Sequence, residues 1–232
     1  IFIGCAGGIG TVAALKYLKT DVPDDVQAYK ISVTGLAGGH SGDDIDKKRG
    51  NANKILNRLL WNISRTYDLR LSAFEGGNLS NAIPREAHAI FVVPLSQKKD
   101  VEKSLGQFIE KIRSEYIFNE PQLKINIEKN ETPDTIIDPN AQKNLLNALY
   151  ACPHGILEMS TRMEGMVETS TNLASVKFTG DDMIVITTSQ RSEIDSRKYY
   201  AAEMVRSVFE LAGAEISHSD IYPGWTPNPD SK

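Results

Sequence analysis

The chain has 232 residues, of which 24% are charged and 41% hydrophobic, and its formal net charge is -4. This length is enough for one large domain or two small ones with a buried core, and the acidic balance argues against binding to nucleic acid or to an anionic membrane surface. The sequence has no apolar run near the roughly 18 residues that a membrane-spanning helix needs. Cys5 and Cys152 are too isolated for a disulfide framework, which favours a reducing, cytoplasmic compartment.

Both ends of the sequence indicate a segment of a larger protein. The chain begins at Ile1 with strand-like residues that run into a glycine turn, and it ends in a proline-rich stretch after Tyr222. We therefore expect residues 1–25 and 222–232 to be links to a domain outside this chain. The folded unit is expected to consist of a first half, residues 26–130, and a second half, residues 131–221.

Apolar patterns predict a βαββαβ order in the first half. Strands are predicted at residues 27–36, 69–73, 87–93 and 123–127, and amphipathic helices at residues 45–63 and 101–112. Gly50 would lie inside the first helix, at a cost of about 1 kcal/mol relative to alanine. Two helices on one face of a four-stranded antiparallel sheet, a ferredoxin-like arrangement, would bury these apolar stripes.

The second half is predicted to repeat this order if the strand at residues 123–127 is counted as shared. Asp138 and Pro139 are typical of a helix start. A hairpin follows with its turn at residues 179–182, then a helix capped by Asp195 and a last strand at residues 215–221. The sequence therefore predicts an α+β fold of two ferredoxin-like halves that share a strand, with antiparallel sheets and the helices on one face.

The segment most typical of a functional site is the glycine-rich turn at residues 35–44. Its four glycines allow positive φ angles and close approach of a ligand, and it presents one histidine, His40, just before two aspartates that are expected to open the next helix. The alternative is that His40 simply packs in the turn.

Two further residues are candidates for binding a small molecule. Asn81, before an extended Ile-Pro pair, can both donate and accept hydrogen bonds, although it can also merely close a turn. Arg191 lies where a strand runs out before a helix and can bind a carboxylate with two hydrogen bonds, unless it forms a surface ion pair with Glu193 or Asp195. Metal-binding and nucleophile signatures are lacking, so these patterns predict a binding or completing module.

Five motifs, in consistent order, resemble the aminoacyl-histidine dipeptidases, a group within the carnosinase-like di-zinc exopeptidases. They are GLAGGHSG at residues 35–42, RGNANKIL at 49–56, GGNLSNAIPREA at 76–87, VETSTNL at 167–173 and YPGW at 222–225. In that family a di-zinc catalytic domain is interrupted by a lid, or dimerisation-type, domain. The resemblance runs from residue 1 to about residue 229 and matches the lid with short stubs of the catalytic domain.

The resemblance implies a zinc-dependent dipeptidase that acts in the cytoplasm on Xaa-His and other dipeptides. It implies that His40 binds the scissile carbonyl and its oxyanion, that Arg191 holds the substrate's C-terminal carboxylate, and that Asn81 lies beside it. No metal ligand is carried over, so the two zinc ions are expected in the catalytic domain outside this chain, and the fragment alone is expected to be inactive. The implied partners are the dipeptide and the chain's own catalytic domain.

Two hypotheses from other classes remain open. The first is a non-catalytic α+β assembly module whose sheet edges drive dimerisation, and the second is a ferredoxin-like sensor of a small molecule. The predicted duplication adds a further hypothesis. In relatives with a single-copy lid the histidine comes from the neighbouring subunit, so a doubled lid would imitate that pair within one chain, which allows a homodimer but does not require one.

Overall fold

The computed structural model describes residues 5–225. It contains four α-helices: α1 (Ala52–Ser64), α2 (Lys98–Tyr116), α3 (Pro139–Ala151) and α4 (Asp195–Leu211). The strands are β1 (Gly7–Lys16), β2 (Lys19–Asp21), β3 (Val26–Thr34), β4 (Gly39–His40), β5 (Arg70–Gly76), β6 (Ala82–Ile83), β7 (Ala87–Pro94), β8 (Lys124–Lys129), β9 (Thr135–Ile137), β10 (Gly155–Met159), β11 (Val167–Thr179), β12 (Met183–Ser192) and β13 (Glu215–Tyr222). None of these helices has the length and apolar character of a membrane span.

One large antiparallel sheet organises the described residues. It consists of two four-stranded blocks, β8-β3-β7-β5 and β11-β12-β1-β13, with β10 added beside β11. The blocks meet where Gly76 of β5 pairs with Val176 of β11. The helices form a row in the order α2, α1, α3, α4, and one apolar cluster extends through both halves. Each block has the strand order of a ferredoxin-like unit, which confirms the predicted fold class.

The two halves share no strand, so that part of the prediction is wrong. The first strand of the second half is β1, which pairs along its length with β12 and also with β13. Strand β8 belongs only to the first half, where it pairs with β3. The whole first half is thus inserted between β1 and α3. Residues 7–16 are consequently a central strand rather than a link.

The first helix begins seven residues later than predicted. A short 3-10 turn covers Ile45–Lys47, Lys48 adopts a positive φ of 51°, and the Asn51 side chain then accepts the Lys54 amide hydrogen and caps α1. Gly50 therefore lies before the helix and not inside it. The predicted hairpin is confirmed as β11 and β12, and Asp138 caps α3 as predicted. Asp195, however, is the first residue of α4 and not its cap. The predicted features at residues 1–4 and 226–232 lie outside the described residues.

Candidate functional site

The glycine-rich turn packs near the open end of the β11–β12 hairpin, where Gly42 faces Arg191. Gly35, Gly38 and Gly39 have φ angles of 78°, 62° and 140°, values that favour glycine. A Cβ on Gly39 would overlap the guanidinium of Arg49, whose Nη1 donates to the Gly38 carbonyl. The turn is then extended into β4, which pairs with β6. His40 thus lies on a two-residue strand, where the sequence had placed it on a simple strand-to-helix turn.

A buried carboxylate fixes the base of this turn. The Glu120 side chain, 3% exposed, accepts the Ala37 amide hydrogen at 2.8 Å and the Gly50 amide hydrogen at 2.7 Å. Glu120 therefore joins the start of the turn to the segment that leads into α1. Hydrogen bonds from backbone amides to a carboxylate are stronger than neutral ones, so this residue holds the turn in one place.

The backbone also determines which nitrogen of His40 faces the solvent. The His40 amide donates to Asp44 Oδ2 at 2.8 Å, and the imidazole Nδ1 accepts the Asp43 amide hydrogen at 3.2 Å. A neutral ring that accepts at Nδ1 carries its proton on Nε2, which has no partner among residues 5–225. The Lys47 ammonium and then the His40 amide hold the pKa of the Asp44 carboxyl below its usual value. The Asp43 carboxylate Oδ2 also lies 3.2 Å from Nδ1, and the His40 side chain is 37% exposed.

Arg191 near the end of β12 has a guanidinium with no carboxylate partner within the described part of the chain. Asp195 is bound by Lys198 at 2.9 Å, and Glu193 accepts a hydrogen bond from the Ser160 hydroxyl at 3.1 Å. The alternative of a surface ion pair between Arg191 and either acid is therefore wrong. Arg191 Nε is buried and has no acceptor among residues 5–225. The cation is thus available to an anionic ligand.

His40 and Arg191 come together at Gly42. A methyl group placed on Gly42 would lie 3.3 Å from Arg191 Nη1 and 3.3 Å from the His40 ring. Beside this point is a cleft of about 280 Å³, lined by Cys5, Ala6, Gly42, Asp43, Val167, Glu168, Ser170 and Arg191. Arg191 lines this cleft, whereas His40 does not line it and lies on the other side of Gly42 and Asp43, which do.

Asn81 lies near His40 but does not line this cleft. Its side chain is exposed, while its backbone carbonyl accepts the Ser41 amide hydrogen at 2.8 Å. The neighbouring Ala82 carbonyl accepts a hydrogen bond from the buried Asn172 side chain at 2.8 Å. A separate cleft of about 380 Å³ is formed by residues 77–79 and 82–86 of the same loop. Asn81 therefore lies next to His40 because of its backbone hydrogen bond to Ser41, and its side chain takes no part in that contact.

Sequence reasoning missed three residues of this region. Glu120 follows α2 in a stretch with no recognisable pattern, so nothing in the sequence indicated that it holds the turn. Glu168 and Asn172 were present in the VETSTNL motif but received no role. Their period-two spacing in a predicted strand was the available signal, because it places both side chains on one face.

Among residues 5–225 there is no group of three or more histidine, cysteine, aspartate or glutamate side chains that could hold a metal ion. Structural zinc sites need four such ligands and catalytic ones about three. The described residues therefore do not fit a zinc centre.

Comparisons with known proteins agree with the resemblance. Residues 29–120 match the model of the peptidase dimerisation domain. The chain is 38% identical to the cytosol non-specific dipeptidase of Escherichia coli over 232 residues, all of this chain and 47% of that protein. The crystal structure of aminoacylhistidine dipeptidase from Vibrio alginolyticus matches with a TM-score of 0.95 and 36% identity, over 100% of this chain and 47% of that one. The chain thus spans about half the length of these relatives.

Proposed function

We propose that this chain is the dimerisation-domain segment of an aminoacyl-histidine dipeptidase and that it completes the substrate site of a cytoplasmic dipeptidase. In this proposal the whole protein hydrolyses Xaa-His and other dipeptides. The zinc ions implied by the resemblance belong to the remainder of the protein.

Arg191 is proposed to bind the substrate's C-terminal carboxylate. A guanidinium forms two parallel hydrogen bonds with a carboxylate, and the one on Arg191 has no competing acid within 4.0 Å among residues 5–225. Binding the free carboxylate restricts the reaction to short peptides because a longer chain has no carboxylate at that position. It also holds the scissile bond in register.

His40 is proposed to donate its Nε2 hydrogen to the oxygen of the scissile carbonyl. In the tautomer whose Nδ1 accepts the Asp43 amide hydrogen, the N–H donor is Nε2, on the open side of the ring. A donor that meets the developing oxyanion contributes about 3 to 4 kcal/mol to transition-state stabilisation. Asn81 directly precedes β6, which pairs with β4 and its His40, and it is proposed to contact the bound substrate.

The observation that carries the proposal is the approach of His40 and Arg191 to Gly42, where an added Cβ would lie 3.3 Å from each side chain. Both residues come from one chain, one from each ferredoxin-like half. This supports the hypothesis that the doubled domain replaces a subunit pair, so that one chain completes its own site. A homodimer would then be compatible with activity but not required for it.

The test measures kcat and KM for dipeptides in a full-length protein that carries this segment. We expect His40→Ala to lower kcat about 10²- to 10³-fold and Arg191→Met to raise KM strongly. The matched control is His88→Ala, because the His88 side chain is 40% exposed, close to the 37% of His40, and lies on β7. Equal activity of the His40 and His88 variants would contradict the proposed role. Recovery of activity on mixing the His40 and Arg191 variants would contradict the single-chain site.

A second candidate is a non-catalytic assembly module, favoured by the match of residues 29–120 to a peptidase dimerisation domain. Titration separates the two functions. A substrate-completing segment binds dipeptides or phosphinate analogues through Arg191, whereas a pure assembly module shows concentration-dependent self-association and no such binding.

A further inference from the structure

A second charged side chain lines the cleft beside Arg191. In the β11–β12 register Ser170 pairs with Arg191, so the two side chains lie on the same face. Glu168 is two residues before Ser170 on β11 and shares that face. Diagonal cross-strand neighbours are separated by about 7–8 Å. Glu168, Ser170 and Arg191 all line the cleft, so the cleft carries an anionic and a cationic side chain in diagonal positions on the two strands.

The Glu168 carboxylate is held in place by its other neighbours. The residue is 6% exposed, and its Oε1 lies 3.1 Å from Nε of Arg197 in the first turn of α4. The Thr169 hydroxyl also donates to Oε1, at 3.3 Å. The second oxygen, Oε2, accepts no hydrogen bond from residues 5–225. Glu168 is thus an ordered, nearly buried acceptor with one oxygen uncommitted.

Building on the proposed function, we propose that Glu168 selects the side chain of the substrate's C-terminal residue. When Arg191 binds the carboxylate of that residue, the end of the residue's long polar side chain can extend over the roughly 7–8 Å that separate diagonal neighbours such as Arg191 and Glu168. An imidazole, ammonium or guanidinium group can donate a hydrogen bond to Oε2. Glu168 therefore favours C-terminal histidine, lysine and arginine.

An apolar side chain in the same place would cover Oε2 without giving it a donor. Leaving a buried acceptor unpaired is unfavourable, and a site built to bind a polar group rejects analogues that lack it. The cleft therefore discriminates against C-terminal leucine for the same reason that it accepts histidine.

The substitution Glu168→Gln tests the proposal because Arg197 determines how the amide orients. Arg197 only donates hydrogen bonds, so the glutamine oxygen turns toward it and the NH2 group faces the cleft. The cleft then presents a donor to the donor groups of histidine and lysine. We expect kcat/KM for Ala-His and Ala-Lys to fall at least about tenfold, mainly through KM, while kcat/KM for Ala-Leu stays equal or rises.

The matched control is Glu158→Gln. Glu158 is the other carboxylate near Arg197, at 3.5 Å, but its side chain is 56% exposed and does not line the cleft. The Glu158→Gln variant should leave the ratio of Ala-His to Ala-Leu activity unchanged. The conservative variant Glu168→Asp, which retains the charge, should keep more of the preference than Glu168→Gln. Thermal unfolding of each variant identifies any loss of folded protein.

The assay uses a full-length protein carrying this segment, and its outcomes separate the two proposals. If Glu168→Gln lowers activity equally on all three dipeptides, or changes none, the selection role is wrong while dipeptidase activity stands. If the unaltered protein hydrolyses no dipeptide, or is indifferent to Arg191→Met, the proposed function itself fails.

Discussion

Protonation of His154 should destabilise the fold at mildly acid pH. His154 lies in the loop between α3 and β10, and its Nδ1 faces two donors at 3.4 Å, the Leu173 amide and the Asn51 side chain. A proton on Nδ1 would point at both of these N–H donors and could form a hydrogen bond with neither. Burial, and to a smaller extent the Lys54 ammonium, lowers the pKa of His154 from 6.5 to about 4.

The sign and size of the effect follow from linkage. Between pH 6.5 and 4 residue 154 is protonated in the unfolded chain but not in the folded chain. The free energy of unfolding therefore keeps its full value above pH 6.5 and decreases as the pH falls through this window. With the pKa values of 6.5 unfolded and about 4 folded, the loss at pH 5 is about 2 kcal/mol.

The assay is urea unfolding of the chain and of His154→Gln at pH 7, 6 and 5. Glutamine keeps an acceptor for the Leu173 amide but does not titrate, so the variant should lack this part of the acid dependence. The difference in unfolding free energy between the two proteins should shift by about 2 kcal/mol in favour of the variant from pH 7 to 5. A shift below about 0.5 kcal/mol would refute the assignment of a neutral His154 ring in the folded protein.

Two further predictions concern the glycine-rich turn. Glu120→Gln removes one of two carboxylate hydrogen bonds and places an N–H group opposite a backbone N–H donor. We therefore expect the free energy of unfolding in urea to fall by about 1.5–3 kcal/mol. An unchanged urea midpoint would contradict the role of Glu120 in anchoring the turn. Gly42→Ala places a methyl group 3.3 Å from both the His40 and the Arg191 side chain. Because these flexible side chains can move, the free energy of unfolding should change by less than about 1 kcal/mol, whereas dipeptidase kcat/KM of the full-length protein should fall. An unchanged kcat/KM would contradict a site shared by the two side chains.

The element pattern was largely readable from the sequence because it depends on local periodicity. Alternating apolar residues located β3, β7 and β8, and the Asp138-Pro139 pair located the start of α3. The two-residue strands β4 and β6 are too short to leave such a pattern. The start of α1 was misplaced because apolar residues continue at helical spacing back to Ile45, although Asn51 caps the helix and Glu120 binds the Gly50 amide from 70 residues away.

The sequence by itself determined the α+β class, the βαββαβ run of the first half, the helix, hairpin, helix and strand that follow it, and the motifs that single out His40, Asn81 and Arg191, because each of these is encoded within a short stretch. Only the tertiary structure decided that β1 completes the second half, that His40 and Arg191 both approach Gly42, and that Glu168 and Arg191 line one cleft. Those facts depend on strand pairing between residues more than 200 positions apart in the chain, as for Gly8 and Tyr222, and the register of such pairings is specified by which face of each strand is buried.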